Sequence, residues 1–272
     1  MQKFRTVELS DPEFERDGLR HITVKSTALK RRGDITLFIP EQLRDNAATT
    51  MLILLNGVWN SHWGWAYLAG VHLTAQRLID AGEIAPLVIA MPSDGLWGDG
   101  SGYLNAGGEN AETWIMEDVV AAASLVVPGL TPQPRLFLGG QSMGGYGALR
   151  LGAKYAAQIS GISAHSSITH ISQMANFVEE PLSHYLSAAS PEELDPLYWI
   201  LRNRKILPEL RMDCGTEDTL LSANRHLHNA LDDAGIDHQY FEYEGGHEWP
   251  YWAEHISDSL RFFQTVRNAQ GF

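Results

Sequence analysis

Four short runs, Met51–Leu55, Leu87–Met91, Arg135–Leu138 and Ile159–Ala164, are almost wholly apolar or small. A strand with no polar face is stable only when both faces are covered, which is the situation inside a parallel sheet. Segments of helical texture alternate with these runs. Leu73 to Ala81 is stopped by Gly82, Thr113 to Val127 by Pro128 and Gly129, and Asn224 to Ala234 by Gly235, while Gly144 to Lys154 follows the third run. The first forty residues differ. His21 to Ser26 alternates, Lys30 to Arg32 and a Gly33-Asp34 turn follow, and Ile35 to Ile39 alternates again before Pro40, as in an antiparallel hairpin. The expected fold class is α/β, a mostly parallel central sheet with helices on both faces. Residues 167–208 break the rhythm, with Pro181, Pro191, Pro196 and Pro208 among short amphipathic pieces, and read as a cap-like insertion. Without repeats or low-complexity tracts, residues 1–272 read as a single domain.

Charge narrows the range of partners. Lys and Arg number 20 against 33 Asp and Glu, a net charge of −13. With no basic run beyond Lys30-Arg31-Arg32, neither nucleic acid nor an anionic membrane surface is expected as a partner. The first eighteen residues are polar, and no stretch of eighteen apolar residues occurs. The single cysteine, Cys214, excludes an internal disulfide framework and fits a reducing compartment. The expectation is a cytoplasmic protein acting on a small molecule, with homo-oligomerisation left open and a leader lost from a precursor still compatible.

Chemistry concentrates at Gly140-Gln141-Ser142-Met143-Gly144, directly between an apolar strand and a helix. A serine on such a turn is lifted above the sheet, and the first N–H groups of the following helix face any negative charge that develops there. Serine needs a base, and the base needs an orienting acid. In this architecture the order is Ser, acid, His, each on a loop after a strand. Leu210–Cys214 leads into Gly215-Thr216-Glu217-Asp218, and His238–Tyr243 runs into Gly245-Gly246-His247. Ser142, Asp218 and His247 are therefore the candidate nucleophile, acid and base. Asp213 lies inside its strand and Glu217 stands one residue early; both are the competing acids. Met143 N–H is the expected first oxyanion donor. The second comes from Asn56-Gly57-Val58-Trp59, with Val58 preferred and Trp59 the alternative.

The remaining histidines and loops are weaker signals. His226 and His228 are two apart on a helix, poor spacing for zinc, and read as solvated. Residues 93–108, rich in Gly and Asp, lack the acidic alternation of a calcium loop and read as turns. No glycine fingerprint for a nucleotide is present. Neither a metal nor a cofactor is expected. Six of the eight tryptophans fall in loops on the catalytic side: Trp59, Trp63, Trp65, Trp97, Trp249 and Trp252. Loops rarely gather so much ring area without lining a pocket, and such faces suit aromatic acids or sugars. The expected substrate contacts are Trp59, His62, Trp63, Trp97, Trp249 and His165. His165 follows a buried strand, so a place in the core is as open as a place in the site.

The stretches LLNGVW, AMPSDG, ETWIMEDV, FLGGQSMGGYGALRLGAKY, DCGTED and GGHEWPYW together resemble one esterase family of the α/β hydrolases. That family takes in esterase D (S-formylglutathione hydrolase), tributyrin, feruloyl and acetylxylan esterases, and the mycolyltransferases. The resemblance covers most of the chain and implies the same roles for Ser142, Asp218, His247, Met143 and Val58. Asn56 departs from the His that many relatives carry before the Gly. It implies a serine carboxylesterase acting on small or aromatic acyl esters, sugar-linked ones included. An S-formylglutathione-type thioesterase and a mycolyl-type acyltransferase are the alternatives; a non-catalytic module would typically have lost one of the three residues.

Overall fold

Nine strands form one sheet in the order β1-β2-β3-β5-β4-β6-β7-β8-β9 among the residues that the computed structural model describes, 3–43, 50–127, 129–131 and 133–271. They are β1 (Val7–Leu9), β2 (Leu19–Lys25), β3 (Arg32–Phe38), β4 (Thr50–Leu55), β5 (Val88–Pro92), β6 (Arg135–Gln141), β7 (Ile159–His165), β8 (Glu209–Gly215) and β9 (Gln239–Tyr243). The first three pair antiparallel, β3 with β5 likewise, and the rest are parallel. Alternation along the central strands explains their apolar sequence. Met51, Ile53 and Leu55 of β4 join one buried cluster, and Leu52 and Leu54 join the other. Val88 and Ala90 of β5 likewise face away from Ile89 and Met91.

Helices complete the two layers. α1 (Gly64–Tyr67), α2 (Val71–Asp80) and α10 (Trp249–Gln270) contribute to the second cluster. A π turn over Trp114–Asp118, preceded by α3 (Ala111–Thr113), then α4 (Val119–Val126), α5 (Met143–Lys154) and α9 (Leu221–Asp233) contribute residues to the first, α3 itself contributing none. Residues 167–208 carry a 3₁₀ turn, Ile171–Asn176, then α6 (Leu182–Leu186), α7 (Pro191–Leu194) and α8 (Pro196–Arg202). β4 continues to β5 on one side and lies beside β6 on the other. The carboxyl ends of β4 and β6 therefore meet where strand order reverses, the place where open α/β sheets bind ligands. The apolar runs led one to expect the mostly parallel sheet covered on both faces, and the fold is that of the α/β hydrolases, as the family resemblance implied.

Two details differ from the sequence expectation. The hairpin turns at residues 26–31, where Ser26 N–H donates to Arg31 O at 3.1 Å, and Gly33 and Asp34 lie within β3. Gly33 is small because the Trp114 ring lies against it and a Cβ would overlap that ring. The 22-residue α10 was not anticipated; its buried face includes Trp252, Ile256, Leu260 and Phe263. Helix α4 ends at Val126; Pro128, the expected stop, lies outside the described residues.

One buried ion cluster ties α5 to the segment after β7. Arg150 of α5 is fully buried and donates to Glu112 Oε1 at 2.6 Å and to Tyr103 O at 2.8 Å. Lys154 pairs with Glu112 at 2.8 Å and with Glu193 of α7. Burial by itself would raise the Glu112 pKa, but the Arg150 charge and then the Lys154 ammonium bring it below the usual range. Arg150→Met leaves Glu112 buried without its main partner and is expected to cost roughly 3–5 kcal/mol. Adding Glu112→Gln should restore part of that stability, because no orphaned charge is then left. Urea denaturation of both variants checks this; a single-variant loss below about 1 kcal/mol would show that the cluster behaves as a surface pair.

Candidate active site

Ser142 sits between β6 and α5 with φ 54° and ψ −119°, a conformation that L residues rarely adopt. Crowding explains the flanking glycines. A Cβ at Gly140 would overlap the Gly144 carbonyl, and one at Gly144 would overlap the Leu55 carbonyl at the end of β4. Ser142 N–H is spent on His165 O at 3.0 Å, which fastens the turn to the end of β7. The hydroxyl is thereby left as the group the turn presents.

The acid and base loops are sewn together before they meet the serine. Thr216 N–H donates to Tyr243 O at 2.8 Å and Glu217 N–H to Gly245 O at 2.9 Å, extending the β8–β9 pairing. A Cβ at Gly215 would overlap the Gly245 carbonyl. Glu217 and Asp218 then diverge, and Asp218 is the carboxylate that reaches the imidazole. His247 Nδ1 lies 2.9 Å from Asp218 Oδ2 and 3.1 Å from Oδ1, and His247 Nε2 lies 2.9 Å from Ser142 Oγ. Asp218 also accepts Leu220 N–H at 2.7 Å, which fixes the carboxylate plane. Nδ1 faces an acceptor-only carboxylate, so it carries the proton and Nε2 is the basic nitrogen.

Beside the serine, the loop after β4 is fitted by close contact. A Cβ at Gly57 would meet the amide end of the Gln141 side chain, which would have to shift. Asn56 Nδ2 donates to Gly57 O at 2.8 Å, and the Tyr103 hydroxyl donates to Asn56 O at 2.9 Å. Asn56 thus braces this loop through its own amide. Trp59 N–H is committed to Asp99 O at 2.8 Å, which removes it as an oxyanion donor and leaves Val58 as the candidate. Asp99 belongs to the 93–108 loop, which is built on turns. The buried Asp94 carboxylate accepts Leu96 N–H at 2.9 Å and Ser101 N–H at 2.7 Å, and burial raises its pKa.

The expected substrate contacts separate into groups. Trp59 and Trp63 are exposed, at 69% and 40%. Trp249 packs edge-on against both Trp65 and Trp252, which are buried and support the site from the core. Trp97 stacks on His184 at 3.8 Å between ring centroids, so that ring face joins its loop to residues 167–208. His62 Nδ1 bonds Thr36 Oγ1 at 2.8 Å, tethering its loop to β3; burial lowers its pKa. His165 is corrected outright. It is fully buried, with Nδ1 3.0 Å from Asp213 Oδ1 and Nε2 2.7 Å from Ser259 Oγ, so it does not face substrate. One neighbour escaped the sequence reading: Phe177 stacks on His247 at 5.2 Å and 27°. Its only signal was to be one of four aromatics, with Tyr185, Tyr198 and Trp199, in the segment of short prolyl pieces.

The chain matches the family described as "Putative esterase" over residues 26–263. It belongs to that family. It is similar to the acetyl esterase of Caldicellulosiruptor saccharolyticus, 30% identical over 241 residues that cover 82% of this chain and 86% of the relative. Among solved structures it is similar to a ferulic acid esterase, with TM-score 0.78 at 22% identity, covering 97% of this chain and 99% of that one. It also resembles the S-formylglutathione hydrolase FrmB of Staphylococcus aureus, with TM-score 0.77 at 18% identity, covering 94% and 98%. At such identities the structural likeness speaks for fold; family membership makes the chain a carboxylesterase acting on small esters.

Beneath the candidate site lies a second, buried Ser-His-Asp line, Ser259–His165–Asp213. Burial would push the Asp213 carboxyl up, but His165 and then Arg211 outweigh it and bring it down to about 2. Asp213 also accepts the Tyr251 hydroxyl at 2.9 Å. It therefore links the strand end that holds Ser142 to the helix that follows His247. A folded pKa below the unfolded ~3.9 means that this stabilisation is full above about pH 4 and lost as pH falls toward 2. Asp213→Asn is expected to cost roughly 3 kcal/mol at pH 7 and to flatten the acid limb of the stability curve. The activity loss should fall in kcat rather than KM. Denaturation at a series of pH values with steady-state kinetics checks this; an unchanged acid limb would remove Asp213 from its cause.

Proposed function

We propose that this carboxylesterase hydrolyses short acyl esters through an acyl-enzyme on Ser142, with His247 as base and Asp218 as its orienting acid. The observation that carries the reading is the unbroken line from Asp218 through His247 to Ser142 Oγ, at 2.9 Å on each side of the ring. His247 Nε2 takes the Ser142 proton as Oγ attacks the acyl carbon. The tetrahedral oxyanion is held by the N–H groups of Met143 and Val58, and the alcohol departs with the proton from His247. Water then gives its proton to His247 and attacks the acyl-Ser142 carbonyl; the acid is released and Ser142 recovers its hydroxyl. Met143 suits the oxyanion role because it opens α5, where helical N–H groups have no partner within the helix.

The likeness to an acetyl esterase at 30% identity supports a short acyl group. Phe177 and Trp252, stacked and edge-on against His247, narrow the space beside the base in the same direction. The exposed rings of Trp59 and Trp63 offer faces to an aromatic or sugar portion of the ester. We read residues 1–272 as one domain in which segment 167–208 supplies the Phe177 side of the site. The reaction needs neither metal nor cofactor.

Ser142→Ala or His247→Ala should lower kcat on p-nitrophenyl acetate by about 10⁶-fold, and Asp218→Asn by about 10⁴-fold. Retention of more than a few per cent of activity by Ser142→Ala would sink the assignment. A panel of p-nitrophenyl acyl chains, methyl ferulate, acetylated xylan and S-formylglutathione then fixes specificity, with acetyl esters expected to lead. Phe177→Ala should shift the preference between acetyl and feruloyl esters by about 10-fold in kcat/KM. An unchanged ratio would place Phe177 outside the acyl site.

A further inference from the structure

Helix α9 ends by folding the chain back on itself. Gly235, at φ 65°, donates to Asp232 O at 2.9 Å, and Ile236 N–H donates to Leu231 O at 2.9 Å. That reversal brings His238, ten residues on, against His228 in the helix. His238 Nδ1 lies 2.9 Å from Ile236 O, and a carbonyl can only accept, so Nδ1 carries the proton. The lone pair of Nε2 is therefore left free on the side of the ring that faces His228, whose Nδ1 stands 2.8 Å from it. The His238 side chain is only 2% exposed, and the His228 ring is stacked on Tyr240 of β9 at 4.5 Å, so both rings are held by packing. Asp232 is one helical turn after His228, with Oδ2 3.5 Å from His228 Nε2 and its side chain open to solvent. One donor atom from each of the three falls within 4.8 Å of the others.

We propose that His228, Asp232 and His238 bind a divalent transition ion of the zinc type. Two imidazoles and one carboxylate suit zinc or its first-row neighbours, whereas magnesium and calcium prefer oxygen ligands throughout. An imidazole whose other nitrogen donates to a backbone carbonyl is the usual arrangement of a metal-bound histidine. Ligand nitrogens about 2.0–2.1 Å from zinc lie farther apart than a hydrogen-bonded pair. The two rings must therefore open by about half an ångström, while the exposed Asp232 swings in and water completes the shell. The partners of His228 are Asp232 at i+4 and a residue beyond the turn, which is why the His226 and His228 spacing did not suggest the site. A bound ion fastens the end of α9 to the turn leading into β9, the strand that precedes His247, and so stabilises the folded chain without touching Ser142.

The test is calorimetric titration of the EDTA-treated, dialysed full chain with zinc chloride, beside thermal denaturation. One equivalent should bind, and saturating zinc should raise Tm by about 5 °C. His228→Ala and Asp232→Asn, both at solvent-accessible positions, should each weaken binding about 10-fold or more and abolish the Tm shift. His226→Ala should leave both unchanged. Cobalt(II) at the same site should give the visible absorption of a four-coordinate ion in the wild type and not in His228→Ala. Equal zinc binding by the wild type and His228→Ala, no saturable heat, an equal Tm shift with magnesium, or loss of binding in His226→Ala would each overturn the proposal.

Discussion

The backbone of Ser142 can be held at φ 54° only because four elements crowd it from different sides. Gly140 and Gly144 give way to neighbouring carbonyls, β4 ends against the turn, and the His165 carbonyl takes the serine N–H. Each contact belongs to a different element: the strand before, the helix after, and the strands on either side. The strain is affordable because the parallel sheet is covered on both faces, so these strand ends cannot drift apart. The geometry of the candidate site is thus a property of the sheet rather than of the five-residue motif.

Buried polar groups carry that rigidity outward. Asp213 gathers His165, Arg211 and the Tyr251 hydroxyl beneath the site. Arg150, Glu112, Lys154 and Glu193 join α5 to the segment after β7. These clusters fix directions more than they add stability, since a buried ion pair recovers little beyond its desolvation cost. The Ser259–His165–Asp213 line makes the point chemically. It has the hydrogen-bond order of the line above it, but full burial closes it to substrate, so residue types alone do not make a site.

Much of the fold was legible because burial on two faces leaves a periodicity that does not depend on distant contacts. Runs such as Met51–Leu55 had no solvent face to offer, and the glycines around Ser142 reflected local crowding. Gly33 misled for an instructive reason. Its smallness answers to the Trp114 ring from far along the chain, not to a turn. The tryptophans divided similarly: Trp65 donates to the Leu55 carbonyl at 2.9 Å from helix α1 inside the core, while Trp59, in the loop just before that helix, stands at the surface.

By itself the sequence determined the α/β class, the serine on its strained turn, and the chain order of acid and base candidates. These depend on local patterning and on connections that the sheet permits in few ways. The tertiary structure put Asp218, the acid preferred from the sequence over Asp213 and Glu217, 2.9 Å from His247, and it alone decided that His165 is a core residue and that Phe177 lies on the imidazole. Side-chain direction at a strand end is set by whichever elements pack against it, and those arrive from elsewhere in the chain. No window of neighbouring residues contains that information.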